Sequence, residues 1–271
     1  MDADIVDLIG SLKLTGARFA VATVVRTVSL TAAKAGAKAV IRADGTIEAG
    51  WIGGGCARAA VLRAARDAIA DGRPRLVSVQ PLDVLQAQGV APGDDRDGIQ
   101  FAKNACPSQG TMDVFVEPIM PRAELLICGA SPVAVALASL APRFGYFVRV
   151  AAPESAQPAF EMPDARLTAY AFDGLARAER YIVVATQGSG DHAALKAAFS
   201  VGAGYVAFVG SRRKVAALRD ALIEEGLDPM QLEALHAPAG LPIDAVTPDE
   251  IALSILAEIT AVRRKRQRGV P

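Results

Sequence analysis

From residue 124 onward the chain repeats one pattern: a short apolar run, a turn, then a stretch with helical spacing. Strands are expected at 124–128, 146–151, 166–172, 181–186 and 205–209. Helices are expected after Gly129, over 191–201 and over 211–225. Buried strands alternating with helices fold as a parallel sheet joined by right-handed crossovers. A final helix opens at Thr247-Pro248-Asp249-Glu250, a capping-box start with proline at the first helical position. It runs through Val262 on an apolar stripe of Ile251, Leu253, Ile255, Leu256 and Ile259.

The first half has a different rhythm. A short helix is expected over 3–14 and a β-branched strand over 19–27. Asp44-Gly45 between apolar stretches signals a hairpin. Residues 53–71 read as loop and helix ending at Gly72, followed by a strand over 75–79. Residues 80–105 carry little pattern, and 91–98 read as a polar loop. A strand over 111–119 is stopped by Pro118 and Pro121. The fold class is therefore α/β: an N-terminal α/β domain, residues 1–120, followed by a Rossmann-like parallel-sheet domain, residues 121–271.

Composition narrows the function. The 271 residues carry no net formal charge and only 5% aromatics. This speaks against nucleic acid as a partner. The first residues are acidic and amphipathic, which predicts neither a signal peptide nor membrane insertion. The three cysteines are Cys56, Cys106 and Cys128. They lack CxxC spacing, so neither a disulfide framework nor a zinc knuckle follows, and a cytoplasmic location is expected. The basic run at 263–268 reads as a solvated helix end that complements the helix dipole.

Four motifs could carry chemistry. Gly53-Gly54-Gly55-Cys56 clears side chains from a turn that opens a helix, whose unpaired N–H groups attract anions and favour a thiolate. A tight turn with a small buried cysteine explains the same letters, and the two readings stand level. Gly129-Ala130-Ser131-Pro132-Val133-Ala134 has the strand-to-helix context of a dinucleotide fingerprint. Ser131 replaces its second glycine, Pro132 removes an N–H, and Ala151-Ala152-Pro153 lacks the acidic residue that would hold a ribose. NAD(P) binding is therefore in question, with a fold relic as the equal alternative.

The third motif, at the end of a buried strand, runs from Thr186 and Gln187 to Asp191 and His192. Asp191 reads best as a helix N-cap. In the fourth, Gly210-Ser211-Arg212-Arg213-Lys214, serine, N–H groups and cations make a phosphate seat. The competing reading is a Ser211 cap with cations in water, although cations at a helix start oppose its dipole. Cys106-Pro107-Ser108-Gln109-Gly110 is a turn that could present a thiol beside Cys56. Cys128 ends a buried strand and reads as core.

Together these residues resemble the XdhC/CoxI family of molybdoenzyme maturation factors. The matching stretches are Lys34 to Lys38, Asp44-Gly45, Ile52 to Cys56, Cys106 to Ser108, Asp113 to Pro118, Leu125 to Ala130, Val209 to Lys214 and Thr247 to Glu258. The Cys106-Pro107-Ser108 and Ser131-Pro132 forms resemble the CoxI side, linked to CO-dehydrogenase-type enzymes. Leu30-Thr31-Ala32-Ala33-Lys34 replaces the Pro-Arg-Arg-Pro common in the family. Of any basic contact there, only Lys34 and Lys38 remain.

The resemblance implies an accessory factor rather than a stand-alone enzyme. Such a factor binds molybdenum cofactor (molybdopterin, or its cytosine dinucleotide form), assists its sulfuration and delivers it to a molybdenum hydroxylase apoenzyme. It also implies a homodimer and a sulfur donor such as a cysteine desulfurase. On this reading Cys56 contacts the metal or relays sulfur, and Cys106 supports it. The cofactor is then held by Gly53, Gly54, Gly55, Lys38, Gly129, Ser131, Gln187, Ser211, Arg212 and Lys214. The alternatives are a nicotinamide-dependent oxidoreductase using the second domain, or a non-catalytic scaffold.

Overall fold

A computed structural model describes residues 2–106, 109–175 and 179–267. The chain divides into two compact units, Met1–Pro121 and Arg122–Pro271.

Unit 1 is built on a seven-stranded sheet. In chain order its elements are α1 (Asp2–Leu14), β1 (Phe19–Val28), β2 (Lys38–Arg42), β3 (Ile47–Gly50), α2 (Gly55–Asp71), β4 (Arg75–Gln80), α3 (Leu82–Ala87), β5 (Asp95–Arg96), β6 (Ile99–Lys103) and β7 (Thr111–Ile119). The spatial order is β3-β2-β1-β7-β4-β6-β5. All pairings are antiparallel except β4 with β6.

Strand alternation places side chains on two faces. Ala20, Ala22 and Val24 of β1 join Val114 and Val116 of β7 beneath Val61, Ala65 and Ala68 of α2. Phe19 and Val21 point the other way, toward Ile5 and Leu12 of α1. The Asp44-Gly45 hairpin forms as expected: Gly45 has φ +88°, and Asp44 accepts the Thr46 N–H. The stretch 80–105 is more regular than its letters suggest. It holds α3, β5 and β6, stabilised by a small cluster of Leu85, Val90 and Phe101. β5 is only two residues long and lies in the stretch expected to be a loop.

Unit 2 contains β8 (Glu124–Cys128), α4 (Pro132–Leu140), β9 (Phe147–Ala151), β10 (Ala165–Leu167), β11 (Arg180–Val184), α5 (Asp191–Ser200), β12 (Tyr205–Phe208), α6 (Arg212–Glu224), α7 (Pro229–Glu233) and α8 (Pro248–Gln267). Short 3-10 turns follow α4 and β9. The sheet is parallel throughout, in the order β10-β9-β8-β11-β12. β8, β11 and β12 are buried along their whole length, which is why they read as largely apolar runs. Leu125, Ile127, Tyr181 and Val183 pack against α4 and α8. Leu126, Cys128, Ile182 and Val184 pack toward Ala194, Leu195 and Ala198 of α5.

Three expectations are corrected here. The strand anticipated over 166–172 is only Ala165–Leu167. It can pair only with β9, which ends at Ala151. The Ala152 N–H takes the Leu167 carbonyl, and Pro153 has no N–H to continue the ladder. Asp191 is not the N-cap of α5. Gly190 is, with φ +91°, and Asp191 is the first helical residue. The basic end of α8 is not wholly solvated. Arg263 lies over the Tyr146 ring at 5.1 Å, and Arg266 donates to the Gly204 carbonyl. Arg268 lies outside the described residues.

The capping box does form. Glu250 accepts the Val246 and Thr247 N–H groups, and the Thr247 hydroxyl accepts the Glu250 N–H. Among the described residues no helix is long and apolar enough to cross a membrane.

Candidate functional site

In unit 1 the glycine run is positioned by the β3 edge. Gly50 has φ +81°, and a Cβ there would lie 2.1 Å from the Lys38 carbonyl oxygen, so only glycine fits. The Trp51 N–H donates to that same oxygen at 2.9 Å. Ile52 is fully buried and anchors the turn. Gly53 (φ +97°), Gly54 (extended) and Gly55 (φ +54°) then lead into α2. Gly54 is the N-cap. It brings no side-chain cap, and the first turn of α2 has no acidic residue. A Cβ at Gly54 or Gly55 would meet no atom within 4 Å. The turn thus offers helix N-terminal N–H groups beside open space, which suits an anion.

Cys106 follows β6 on a turn held by Asn104. The Asn104 side chain accepts the Cys106 N–H at 2.9 Å and donates to the Gly110 carbonyl at 2.6 Å, and its own N–H donates to the Gln80 carbonyl. Gly110 sits tightly against the chain at Leu30, where a Cβ would come 2.3 Å from the Leu30 oxygen. The result is a cavity of about 60 Å³ shared by Gly53, Gly54, Asn104, Cys106, Gly110 and Met112. The glycine cradle and the Cys106 turn, far apart in sequence, therefore meet. Cys56 is the second residue of α2. Its side chain lies outside the described residues, as do Pro107 and Ser108. Sequence reasoning missed Asn104, since an asparagine two residues before a cysteine carries no signal until the turn is seen.

Lys38 is not part of this cavity; its ammonium donates to the Thr23 hydroxyl at 3.2 Å. The cavity is far smaller than the roughly 300–1,000 Å³ usual for small-molecule sites. It can admit one reactive atom or an anionic oxygen, with the bulk of a ligand outside. Among the described residues no three metal-ligating side chains cluster.

In unit 2 the other sequence motifs lie at the carboxyl ends of adjacent parallel strands. Gly129 (φ +104°) follows β8, and a Cβ there would stand 2.6 Å from the Ala185 oxygen and the Thr186 Cα. The Ser131 N–H is turned toward the Ala185 carbonyl at 3.4 Å, and its hydroxyl accepts the Ala134 N–H. Pro132 has none to give. The N–H groups of Gly129, Ser131 and Ala134 are taken up by the chain itself, and Ser131 is buried. The buried Ser131 and the missing Pro132 N–H leave this turn fewer groups for a pyrophosphate than a glycine-rich fingerprint offers.

Gln187 has φ +52° in the loop after β11. That loop is organised by Asp191, which accepts from the Thr186 hydroxyl and the Gly188 N–H and pairs with Lys214 at 2.5 Å. Lys214, expected at a phosphate, is thereby committed to a carboxylate. Ser211 caps α6 by accepting the Lys214 N–H. His192 lies 3.3 Å from Glu225 on the surface of α5.

Burial works against the Asp191 charge, yet Lys214, the Thr186 hydroxyl and the Gly188 N–H together hold its carboxyl below the ordinary aspartate value. A depressed folded-state value stabilises the fold above the unfolded pKa of about 3.9 and is lost as pH falls through the lower folded value. The stability gap between wild type and Asp191→Asn should therefore be constant near neutrality and narrow below about pH 3.9. Urea midpoints across that range check it; a gap that widens in acid would contradict the assignment.

Arg212, exposed at the first turn of α6, has no ion pair among the described residues. It borders a groove of about 820 Å³ that the sequence did not announce. The groove lies between the end of β12, the segment 236–245 and the first turns of α8. The His236 backbone pairs with β12 through Val206 and Phe208. Its Nδ1 lies 2.8 Å from Glu258 Oε1, while Glu258 Oε2 accepts from the Tyr205 hydroxyl at 2.5 Å and the Gly240 N–H at 2.8 Å. A cis peptide joins Ala237 to Pro238. One signal could have revealed Glu258. It is a carboxylate on the apolar stripe of α8, between Ile255 and Ile259, and a charge there needs partners.

The fold and these sites define a two-unit α/β protein whose second unit is Rossmann-like. Residues 125–259 match the XdhC Rossmann domain, and residues 12–80 match the XdhC and CoxI family. The chain belongs to that family. It is 30% identical over 242 residues to the uncharacterized protein YqeB of Escherichia coli strain K12, covering 86% of this chain and 42% of that protein. It is 30% identical over 163 residues to a probable xanthine dehydrogenase subunit of Bacillus subtilis strain 168, covering 57% and 47% respectively. The chain thus spans less than half the length of these curated relatives. A crystal structure described as a xanthine dehydrogenase from Bacillus halodurans aligns over 96% of both chains, with a TM-score of 0.47 and 19% identity.

Proposed function

We propose that the protein is a maturation factor for a molybdenum hydroxylase of the xanthine dehydrogenase or CO-dehydrogenase type, and that it holds molybdopterin cofactor at the unit 1 cavity. One observation carries the reading: Gly53, Gly54 and Cys106 line a single cavity at the uncapped start of α2. The open space at Gly54 and Gly55 is a place for an anionic oxygen, and a sulfur ligand suits a thiophilic metal. A metal that arrives already held by a dithiolene needs one protein thiolate rather than a full ligand set. When bound, the cofactor supplies the redox-active molybdenum centre that the target enzyme uses. The α2 start would bind its negative charge, Cys56 would contact the metal, and Asn104 would hold the Cys106 turn against it.

In this reading the protein turns over no substrate by itself. It acts as a homodimer in the cytoplasm, with a sulfur donor such as a cysteine desulfurase and a hydroxylase apoenzyme as partners.

Retention of released molybdenum cofactor on a sizing column tests the reading. Wild type is expected to carry molybdenum and pterin fluorescence through the column. Cys56→Ala should lose at least about tenfold in retention, the loss of one strong ligand, and Cys106→Ala should lose less. No retention by wild type, or equal retention by Cys56→Ala, would overturn it.

A further inference from the structure

α2 turns one face to the sheet and the other to solvent, and the solvent face carries charge of mainly one sign. Val61, Ala64, Ala65, Ala68 and Ile69 are buried on the sheet side. Arg58, Arg63 and Arg66 are exposed on the other, together with Ala59 and Ala70. With about 3.6 residues per turn, Arg58, Leu62 and Arg66 form one row along the helix, and Ala59 and Arg63 form the next. Leu62, between its two arginines, is half-buried. Arg58 and Arg66 stand about 12 Å apart along the axis.

None of the three arginines has a carboxylate partner among the described residues. Elsewhere Arg26, Arg42, Arg75, Arg122, Arg149 and Arg180 each hold one. Asp71, at the end of α2, is taken by Arg75. Arg66 reaches the hairpin, where a Cβ at Gly45 would lie 2.8 Å from its Nη1. Even there the neighbouring Asp44 carboxylate is turned to the Thr46 N–H.

This arrangement costs helix stability. Arg58 lies in the first turn of α2, where a cation opposes the helix dipole. Arg63 and Arg66 are like charges three residues apart, and they repel. A local cost with no compensation inside the chain marks a surface kept for something outside it. Arginine is also the cation favoured at protein interfaces, because its planar fork meets a carboxylate with two hydrogen bonds.

We propose that the exposed face of α2 docks an acidic face of another protein, with Arg58, Arg63 and Arg66 on that partner's carboxylates and the small Ala59 allowing close approach. Charge complementarity names the occupant. Nucleic acid is the poorer fit: the chain has no net charge to gather a polyanion, and neither Ala59 nor Leu62 offers a ring on which a base could stack. The face runs up to the exposed Gly54 and Gly55, which sets a docked partner beside the glycine cradle. The surface goes beyond the cofactor role and stands whether or not the cavity holds a cofactor.

Fluorescence anisotropy of a labelled decaglutamate peptide, titrated with the full chain at low ionic strength, is the test. Wild type is expected to bind, and added salt to weaken binding as it screens exposed charges. Arg58→Gln, Arg63→Gln and Arg66→Gln combined should weaken it about tenfold, the sum of three exposed charge contacts. A control variant with the same loss of charge, Arg18→Gln, Arg143→Gln and Lys265→Gln, should bind within about twofold of wild type. The α2 variant should unfold no earlier than wild type, because it removes the charge at the helix start and the repulsion between Arg63 and Arg66. No binding at millimolar peptide, an equal loss in the control variant, or a lowered thermal midpoint in the α2 variant would each overturn the proposal. A single-stranded oligonucleotide of equal length that binds more tightly than the peptide through the same arginines would overturn it in favour of nucleic acid. The titration contains no cofactor, so its outcome is separate from that of the retention experiment.

Discussion

Glu124→Ala is expected to lower the stability of the protein by about 3–5 kcal/mol. Glu124 opens β8 and is almost fully buried, with one oxygen on Arg149 and the other on Arg180. Arg180, the first residue of β11, is 3% exposed. The three side chains lie across neighbouring strands, since Glu124 stands opposite both Arg180 and Phe147 in register. Removing the carboxylate takes the shared anionic partner from Arg149 and from Arg180, the second of which has almost no access to water.

The penalty comes from the charge left behind rather than from the worth of the pair. Replacing all three residues by apolar ones of similar volume (Glu124→Leu with Arg149→Met and Arg180→Met) should therefore cost much less than Glu124→Ala alone. Urea midpoints of the two variants decide the matter. A single substitution costing under about 1 kcal/mol would mean the cluster is solvated like a surface pair.

Gly129→Ala is expected to destabilise unit 2 by roughly 2–6 kcal/mol, combining left-handed backbone strain with forced separation of packed backbone. The residue sits at φ +104°, and the added carbon would come within 2.6 Å of both Ala185 and Thr186. Both clashing atoms belong to the backbone of the β11 end, so no rotamer change relieves them. Against a typical domain stability of roughly 5–15 kcal/mol this approaches loss of the native state. The thermal midpoint should fall by more than for Gly145→Ala. That glycine is also left-handed, but its added carbon would meet nothing within 4 Å. Equal losses in the two variants would show that backbone strain alone, not the close approach, sets the cost.

Much of unit 2 was legible because β8, β11 and β12 are buried throughout and so print as apolar runs. The ends were less legible. The length of β10 is set by where β9 runs out of N–H groups, which is a property of the partner strand. The choice of Gly190 over Asp191 as the α5 cap depends on a left-handed turn that places the carboxylate inside the loop, on Lys214. In unit 1, α3 and β6 escaped notice because their core is a three-residue cluster, too small to impose a period on the sequence.

The sites divide in the same way. The glycine run was visible as a motif because three adjacent glycines stand directly before a helix start, although a plain tight turn explained the same letters. That Cys106 lines the same cavity could not be read, because their meeting depends on β6 and on Asn104. Lys214 looked like a phosphate ligand only as long as its partner was unknown. The His236–Glu258 pair links two segments that are unrelated in sequence, and its one clue was a carboxylate on an apolar helical stripe.

β12 ends the parallel sheet on one side, and such an outermost strand carries a row of backbone groups able to recruit a strand from another molecule. Here part of that row is occupied. Val206 and Phe208 exchange hydrogen bonds with His236, and Phe208 also accepts the Ala239 N–H. The segment that walls the groove is therefore also a guard against aggregation. A Cβ at Gly240 would fall 2.2 Å from the Ser254 hydroxyl. Changes that loosen the segment to widen the groove, Gly240→Ala among them, should release an adhesive strand, and such variants should lose solubility on concentration before they lose their fold.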